Sequence, residues 1–175
     1  MENPITIREA VTEDEIAYFW EQLYLYFKRD ILADKPIEDL SYFLGSEYHE
    51  QMMKLHARQQ DRCFFLFFER GGQEIGFAMP VIYTAEDGKC FIMEFCVKPE
   101  YRGNGTGREG ARMLLSWAKE NGYRVGVSTS VSIDHATPAA FYAHQDKRSA
   151  AYQIGLDLIE TNFDFYAGSD FVDAN

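Results

Sequence analysis

The chain carries little positive charge for its size. Its 175 residues include 17 Lys and Arg against 28 Asp and Glu, a formal net charge of −11 at pH 7. Proteins bind nucleic-acid phosphates through basic surfaces, so this deficit argues against DNA or RNA as a partner. An acidic surface also attracts cationic small molecules, although the same excess often serves solubility alone.

Cysteines and long apolar runs are also scarce. The three cysteines (Cys63, Cys90 and Cys96) stand in apolar, strand-like stretches, and no CxxC or CxxxxH spacing offers a metal site. We therefore expect buried free thiols and no bound metal. The longest apolar run, CFFLFF at 63–68, is too short to span a bilayer, and the first ten residues lack a signal-peptide pattern. These absences predict a cytoplasmic protein without a membrane partner.

The residues that are present predict a single domain over 1–175. Hydrophobic residues make up 46% of the chain, and no repeat or linker divides it. Alternating and helical spacings predict the element order β-α-α-β-β-β-α-β-α-β, an α/β fold with a mixed sheet. The strands are expected at 5–9, 62–69, 74–83, 90–97 and 124–131 and between 155 and 167; the helices follow Thr12, Pro36 (with a pause at Gly45), Gly107 and Thr137.

Three glycines stand between a predicted strand and a predicted helix, in VKPEYRGNGTGREG, at Gly103, Gly105 and Gly107. Glycine adopts positive φ and lets a ligand approach without meeting a Cβ. The first turn of a helix has unpaired amides and the positive end of the dipole, which together attract anions. Arg102 adds a guanidinium at the rim. Neither GxGxxG nor GxxxxGK[ST] fits the spacing, so the stretch predicts a phosphate or pyrophosphate site of another kind.

This stretch resembles the signature of the GNAT superfamily of acetyl-CoA-dependent N-acetyltransferases, [R/Q]-x-x-G-x-[G/A]. The residues at 102–107, RGNGTG, meet each fixed position. The preceding Val97, Pro99 and Tyr101 are similar to the common lead-in V-x-P-x-[YF]-R. The element order over residues 5 to about 142 also resembles that of the family.

The resemblance implies a GNAT-like fold: a mixed, mostly antiparallel central sheet flanked by helices, with a splayed central strand. It implies acetyl-CoA as co-substrate and no metal. By resemblance, the pyrophosphate would be held by Arg102, Gly103, Asn104, Gly105, Thr106 and Gly107. The pantetheine arm would lie along Phe95, Cys96 and Val97, and the amide of Val97 or a neighbour would polarise the thioester carbonyl.

Glu94 is the candidate general base. It is an acid within the apolar run FIMEFCV, and burying a lone carboxylate is costly unless it has a partner or a task. Many family members carry an acidic residue three positions before the matched valine, facing the acceptor. The alternative is that Glu94 faces solvent or pairs with an arginine.

Tyr142 is the candidate acid that protonates the leaving thiolate, a role that tyrosine commonly has in this family. The pair Phe141-Tyr142 fits the family pattern, but Asp146 stands where a glycine is usual. Tyr152 is therefore a rival. His135 lies near the position of a common asparagine, so the resemblance implies that it contacts the cofactor.

Together these features predict an enzyme that moves an acetyl group from acetyl-CoA to a primary amine of a small, cationic molecule or of a peptide, by direct attack. One alternative is a CoA-binding module of the same fold that has lost its chemistry. Another is a nucleotide-binding protein of a different fold, which would bind ATP or NAD and not CoA. A homodimer is left open.

Overall fold

The computed structural model describes residues 3–32, 37–84, 89–122, 127–129 and 165–167. The strands are β1 (Ile5–Glu9), β2 (Arg62–Cys63), β3 (Leu66–Arg70), β4 (Gln73–Tyr83), β5 (Lys89–Val97), β6 (Val127–Thr129) and β7 (Phe165–Ala167). The α-helices are α1 (Glu13–Tyr26), α2 (Ile37–Leu44), α3 (Ser46–His56) and α4 (Thr106–Glu120), with a π-helical turn at Phe27–Ile31 and a 3₁₀ turn at Pro99–Tyr101. The helix predicted from Thr137 lies outside the described residues.

The strands form one mixed sheet in the order β1-β3-β4-β5-β6-β7, with β2 paired to β4. The pairs from β1 to β5 are antiparallel, whereas β5 pairs with β6 and β6 with β7 in parallel. The predicted mixed, mostly antiparallel sheet is therefore confirmed. The capping box is also present: the Glu15 amide donates to the Thr12 hydroxyl, and the Glu15 carboxylate accepts from the Thr12 amide.

The predicted strand at 62–69 is wrong in one respect, because it is broken at Phe64 and Phe65. The Phe64 amide donates to the carbonyl of Pro80 on β4 at 2.9 Å. Pro80 has no N–H to return that bond, so the ladder is interrupted at this point. The Phe65 carbonyl instead accepts from the Ala10 amide at 2.8 Å.

Each face of the sheet carries its own core. The α4 face packs apolar residues of α4 against β1, β3, β4 and β5; the helix contributes Ala111, Leu114, Leu115 and Ala118, the stripe that the sequence predicts. On the opposite face, which we call the helical-hairpin face, α1, the π-helical turn and α3 pack against the sheet. Its buried residues include Phe19, Trp20, Leu23, Phe27, Tyr48 and Met52. Cys63, Cys90 and Cys96 are free and buried, as predicted.

Candidate functional site

The glycine turn before α4 has three consecutive residues in the left-handed region. The φ angles of Gly103, Asn104 and Gly105 are +94°, +50° and +80°. Gly105 is the N-cap of α4 and has no side chain to cap the helix, and the turn closes through a bond from the Thr106 amide to the Gly103 carbonyl at 3.1 Å. The start of a 15-residue helix is thus left to backbone amides and the helix dipole, which together favour an anion.

The space around these glycines is open. A Cβ built at Gly103, Gly105 or Gly107 would meet no described atom within 4 Å. Gly103 and Gly105 need glycine for their positive φ, but Gly107 lies inside α4 without that requirement. A helical glycine is less stable than alanine by up to ~1 kcal/mol, and packing among the described residues does not account for Gly107. The close approach of an anionic group such as a phosphate would account for it.

Arg102 is held by the protein itself. Its Nε donates to the Val97 carbonyl at 2.8 Å, and its Nη2 lies 2.6 Å from Asp30 Oδ2. Arg29 binds the same carboxylate, with Nη2 at 2.6 Å from Oδ2. Burial would raise the pKa of Asp30, but the hydrogen bonds and charges of the two arginines outweigh it and lower that pKa. Arg102 therefore ties the end of β5 to the π-helical turn, and its contact with a phosphate stays a prediction.

The pairing of β5 is uneven along its length. Among the described residues, β6 pairs only with Cys90, Phe91 and Ile92, whereas β5 continues to Val97 and pairs there with Gly76 on β4. The side chains of Phe95, Cys96 and Val97 are buried in the two cores. A ligand arm beside this part of β5 would therefore contact its backbone, as the predicted pantetheine path requires.

A β-bulge decides where Glu94 lies. Met79 on β4 is opposite Glu94, but its neighbour Pro80 is opposite Ile92, so Met93 is an extra residue on β5. Strict alternation would place Glu94 on the face of Ile92, in the α4 core. The bulge instead puts both Met93 and Glu94 on the helical-hairpin face, because Met93 packs in that core and Glu94 contacts Tyr48 of α3.

Glu94 lies in an apolar setting with a phenol as its partner. The Tyr48 hydroxyl donates to Glu94 Oε1 at 3.1 Å. Desolvation raises the pKa of Glu94 to about 8, although the bond from Tyr48 works in the opposite direction. A second phenol is close, since burial and then the charge of Glu94 raise the pKa of Tyr26. Within the described ranges Glu94 pairs with Tyr48 and with no arginine.

The sequence does not predict Tyr48 as a site residue. The sequence pattern predicts Tyr48 as part of the inner stripe of its helix, and it is indeed 3% exposed, but a stripe does not indicate what a hydroxyl contacts. Pro80 was the available signal, because a proline within a central strand is typical of a bulge or a break in the ladder. Tyr142, Tyr152 and His135 lie outside the described residues.

The described residues also bear on metal binding and on membrane spans. In that part of the chain no group of three or more His, Cys, Asp or Glu side chains could hold a metal ion. None of the helices in the described ranges has both the length and the apolar character needed to cross a membrane.

Comparison with known proteins gives a family match over most of the chain. The model of the acetyltransferase (GNAT) family matches residues 20–145. Aminoglycoside N(6')-acetyltransferase type 1 of Stenotrophomonas maltophilia is 27% identical over 161 residues, which cover 87% of this chain and 94% of that protein. The tissue-nonspecific alkaline phosphatase of Gallus gallus is 43% identical over 61 residues, but the match spans 34% of this chain and only 12% of that relative.

Solved structures share the fold. YycN of Bacillus subtilis, an assigned acetyltransferase, is 17% identical and superposes with a TM-score of 0.61 over 86% of this chain and 90% of its own. The aminoglycoside acetyltransferase meta-AAC0020 from a soil metagenome, solved with sisomicin, is 16% identical with a TM-score of 0.50 over 79% and 82%. At these identities the likeness concerns the arrangement of the sheet and helices alone.

Proposed function

Because the chain belongs to the GNAT family of acetyltransferases, we propose that it transfers an acetyl group from acetyl-CoA to a primary amine. The observation that carries this proposal is the left-handed turn at 103–105, which precedes α4 and follows β5, the strand that contains Glu94. One segment of chain thus offers an anion site and a carboxylate with a raised pKa. Between Glu94 and the turn, the backbone of β5 from Phe95 to Val97 is the proposed path of the pantetheine arm.

Each residue has one task in the proposed reaction. Acetyl-CoA, when bound, supplies the acetyl group as a thioester. The amides of the turn bind its pyrophosphate, and the amide of Val97 or a neighbour donates to the thioester carbonyl. Glu94 takes a proton from the acceptor amine, directly or through a water. A base with a pKa near the working pH is well suited to this, and the pKa of Glu94 is about 8.

The acceptor that we propose is a cationic amine such as an aminoglycoside. Support comes from the similarity over 87% of this chain to the Stenotrophomonas enzyme and from the net charge of −11. A peptide amine is the competing outcome.

The acid that protonates the leaving thiolate is a separate question. We keep Tyr142 as the proposed acid, with Tyr152 as its rival. Tyr142→Phe should lower kcat with little change in CoA affinity.

The turn is tested by Gly105→Asp, measured by calorimetry with CoA. The new side chain places bulk and negative charge where the phosphate is proposed to lie, so we expect CoA binding to be lost or strongly weakened. Gly72→Asp is the matched control, because Gly72 has the same φ of +80° and equally open surroundings in the β3–β4 hairpin. Equal CoA affinity in a folded Gly105→Asp protein would overturn the proposed site.

Turnover is tested separately with acetyl-CoA and a panel of aminoglycosides, polyamines and peptides. Acetylation of one class would identify the acceptor. Tight CoA binding without turnover on any amine would instead favour the module that has lost its chemistry.

A further inference from the structure

Tyr48 is fixed in place by a cluster of aromatic rings. Its side chain is 3% exposed, and four ring centroids lie between 5.1 and 6.1 Å from its own, those of Trp20, Phe27, Tyr42 and Phe43. A ring packed on so many sides has little freedom to turn. The hydroxyl of Tyr48 is therefore held where it is, 3.1 Å from Glu94 Oε1.

The hydrogen bond from Tyr48 matters because, in the described ranges, no cationic side chain binds Glu94 and compensates its charge. Within residues 3–32, 37–84 and 89–122, no Lys, Arg or His side chain hydrogen-bonds to this carboxylate. Tyr26 faces it from the end of α1 as a neutral phenol. Asp30, Arg29 and Arg102 form a cluster of their own beyond Tyr26, in which the arginines bind the Asp30 carboxylate. From its own strand, the neighbours Met93 and Cys96 add no charge.

We propose that Tyr48 is a positioning residue for the acetyl transfer: its hydroxyl orients the Glu94 carboxyl and stabilises its ionised form. The inference rests on the proposed function, in which Glu94 receives the proton of the amine. A hydrogen bond to a charged group favours that charged form, so the phenol offsets part of the desolvation that burial imposes. Burial, followed by the charge of Glu94, raises the pKa of Tyr48, so the phenol stays protonated and able to donate.

Tyr48→Phe removes the hydroxyl and keeps the ring. Because the lost bond favoured the carboxylate, the pKa of Glu94 should rise by about one unit. ¹³C NMR of the glutamate side-chain carboxyl carbons measures this titration, with Glu94→Gln to assign the resonance. At pH 7, which is below the pKa in both proteins, a rise of one unit lowers the ionised fraction of Glu94 about tenfold, so kcat/KM should fall by about the same factor, and the loss should vanish at high pH.

Tyr42→Phe is the matched control. Tyr42 packs on Tyr48 from α2, but its own hydroxyl donates to Gln51 Oε1 at 3.0 Å. We expect this variant to leave the pKa of Glu94 and the pH profile of kcat/KM unchanged. CoA affinity by calorimetry should be unchanged in both variants, since the turn at 103–105 does not involve α2 or α3.

A measurement on the wild type avoids any effect of Tyr48→Phe on folding. The ¹³Cζ resonance of Tyr48 should titrate with the midpoint of the Glu94 carboxyl carbon, because the two groups share a hydrogen bond. Different midpoints, or an unchanged pKa of Glu94 in Tyr48→Phe, would overturn the proposal. A shifted pKa without a shift of the kcat/KM profile would overturn the catalytic role. Failure of the proposed function would be seen separately, as absence of wild-type turnover with every amine.

Discussion

The two faces of the sheet bury different kinds of side chain. Under α4 the core is made of apolar side chains, with small and branched residues of the helix against Leu66, Phe68 and Phe95. On the helical-hairpin face, aromatic rings surround a carboxylate and its phenol partner. A group with a strongly raised pKa is costly to keep in a core and is typical of a functional position. The comparison indicates that the α4 face anchors the sheet, whereas the other face holds the carboxylate that we propose as the base.

The largest effect should follow from weakening the α4 face. Leu114 is fully buried there, and Leu114→Ala should lower the free energy of unfolding by about 2–5 kcal/mol. Leu25→Ala, on the outer side of α1 where Leu25 is 55% exposed, is the control and should cost far less. Urea denaturation measures both. A folded Leu114→Ala protein should keep its kcat/KM, and a large loss of activity would contradict the division between the faces.

The second effect concerns Glu94 as the proposed base. Glu94→Gln keeps the shape and removes the group that can accept a proton, so kcat/KM should fall roughly 10²-fold near neutral pH, within the range of general acid–base groups. The loss should shrink at high pH, because an alkylamine with a pKa near ~10.4 is then increasingly neutral in solution. Steady-state kinetics across pH measures this. The same loss at every pH would mean that Glu94 only holds the substrate or the strand.

Glu69→Gln provides the control for that experiment. Glu69 is also a strand carboxylate, on β3, but its Oε1 lies 2.6 Å from Nε of Arg8 on β1. The variant removes a strand carboxyl outside the proposed site and should leave the pH profile unchanged.

A third effect is the dependence of stability on pH. The pKa of Glu94 is about 8 in the folded protein, above the value of about 4.3 for an unperturbed glutamate, so the folded state binds more protons between these values. Its contribution to stability is therefore fully present below about pH 4.3 and is lost as the pH rises through about 8. Between pH 5.5 and 8.5 the wild type should lose more stability than Glu94→Gln, as measured by urea denaturation. Parallel curves for the two proteins would contradict the raised pKa.

The smallest effect should come from Gly107→Ala. The change should raise stability by up to ~1 kcal/mol, because alanine is the better helix former and its Cβ meets no described atom. The same methyl group should weaken CoA binding if the phosphate passes close to this backbone. Thermal denaturation and calorimetry measure the two effects. Greater stability with unchanged CoA affinity would show that no ligand approaches Gly107.

The α4 face could be predicted from the sequence because its pattern is local. Residues spaced for one side of a helix pack on one side of the sheet, and the three glycines indicate the turn without knowledge of the fold. The position of Glu94 could not be predicted in this way. Alternation counted from Ile92 places Glu94 on the α4 face, whereas alternation counted back from Val97 places it on the opposite face, and the bulge at Met93, which forms between β4 and β5, decides between the two.

The first helix is a second case in which the local sequence pattern does not predict the structure completely. The spacing of Ile16, Phe19, Leu23 and Phe27 predicts an uninterrupted helix, but the chain changes to a π-helical turn at Phe27, where the Leu32 amide donates to the Phe27 carbonyl at 2.7 Å. Hydrophobic spacing does not distinguish these two helical forms over one turn. The ion pairs of Asp30 with Arg29 and Arg102 join that turn to a segment 72 residues away, which local patterns do not reveal.

The extra residue at Met93 lets two consecutive side chains of β5, Met93 and Glu94, lie on the same face of the sheet. Because Met93 packs in the core on that face, apolar side chains at position 93 should be tolerated better than charged ones. Deleting Met93 would restore strict alternation, but Glu94 would then follow Ile92 directly and would stay on the face of Tyr48. The bulge thus adds one side chain to the aromatic core without moving the carboxylate, so a variant that lacks Met93 should keep the hydrogen bond between Glu94 and Tyr48.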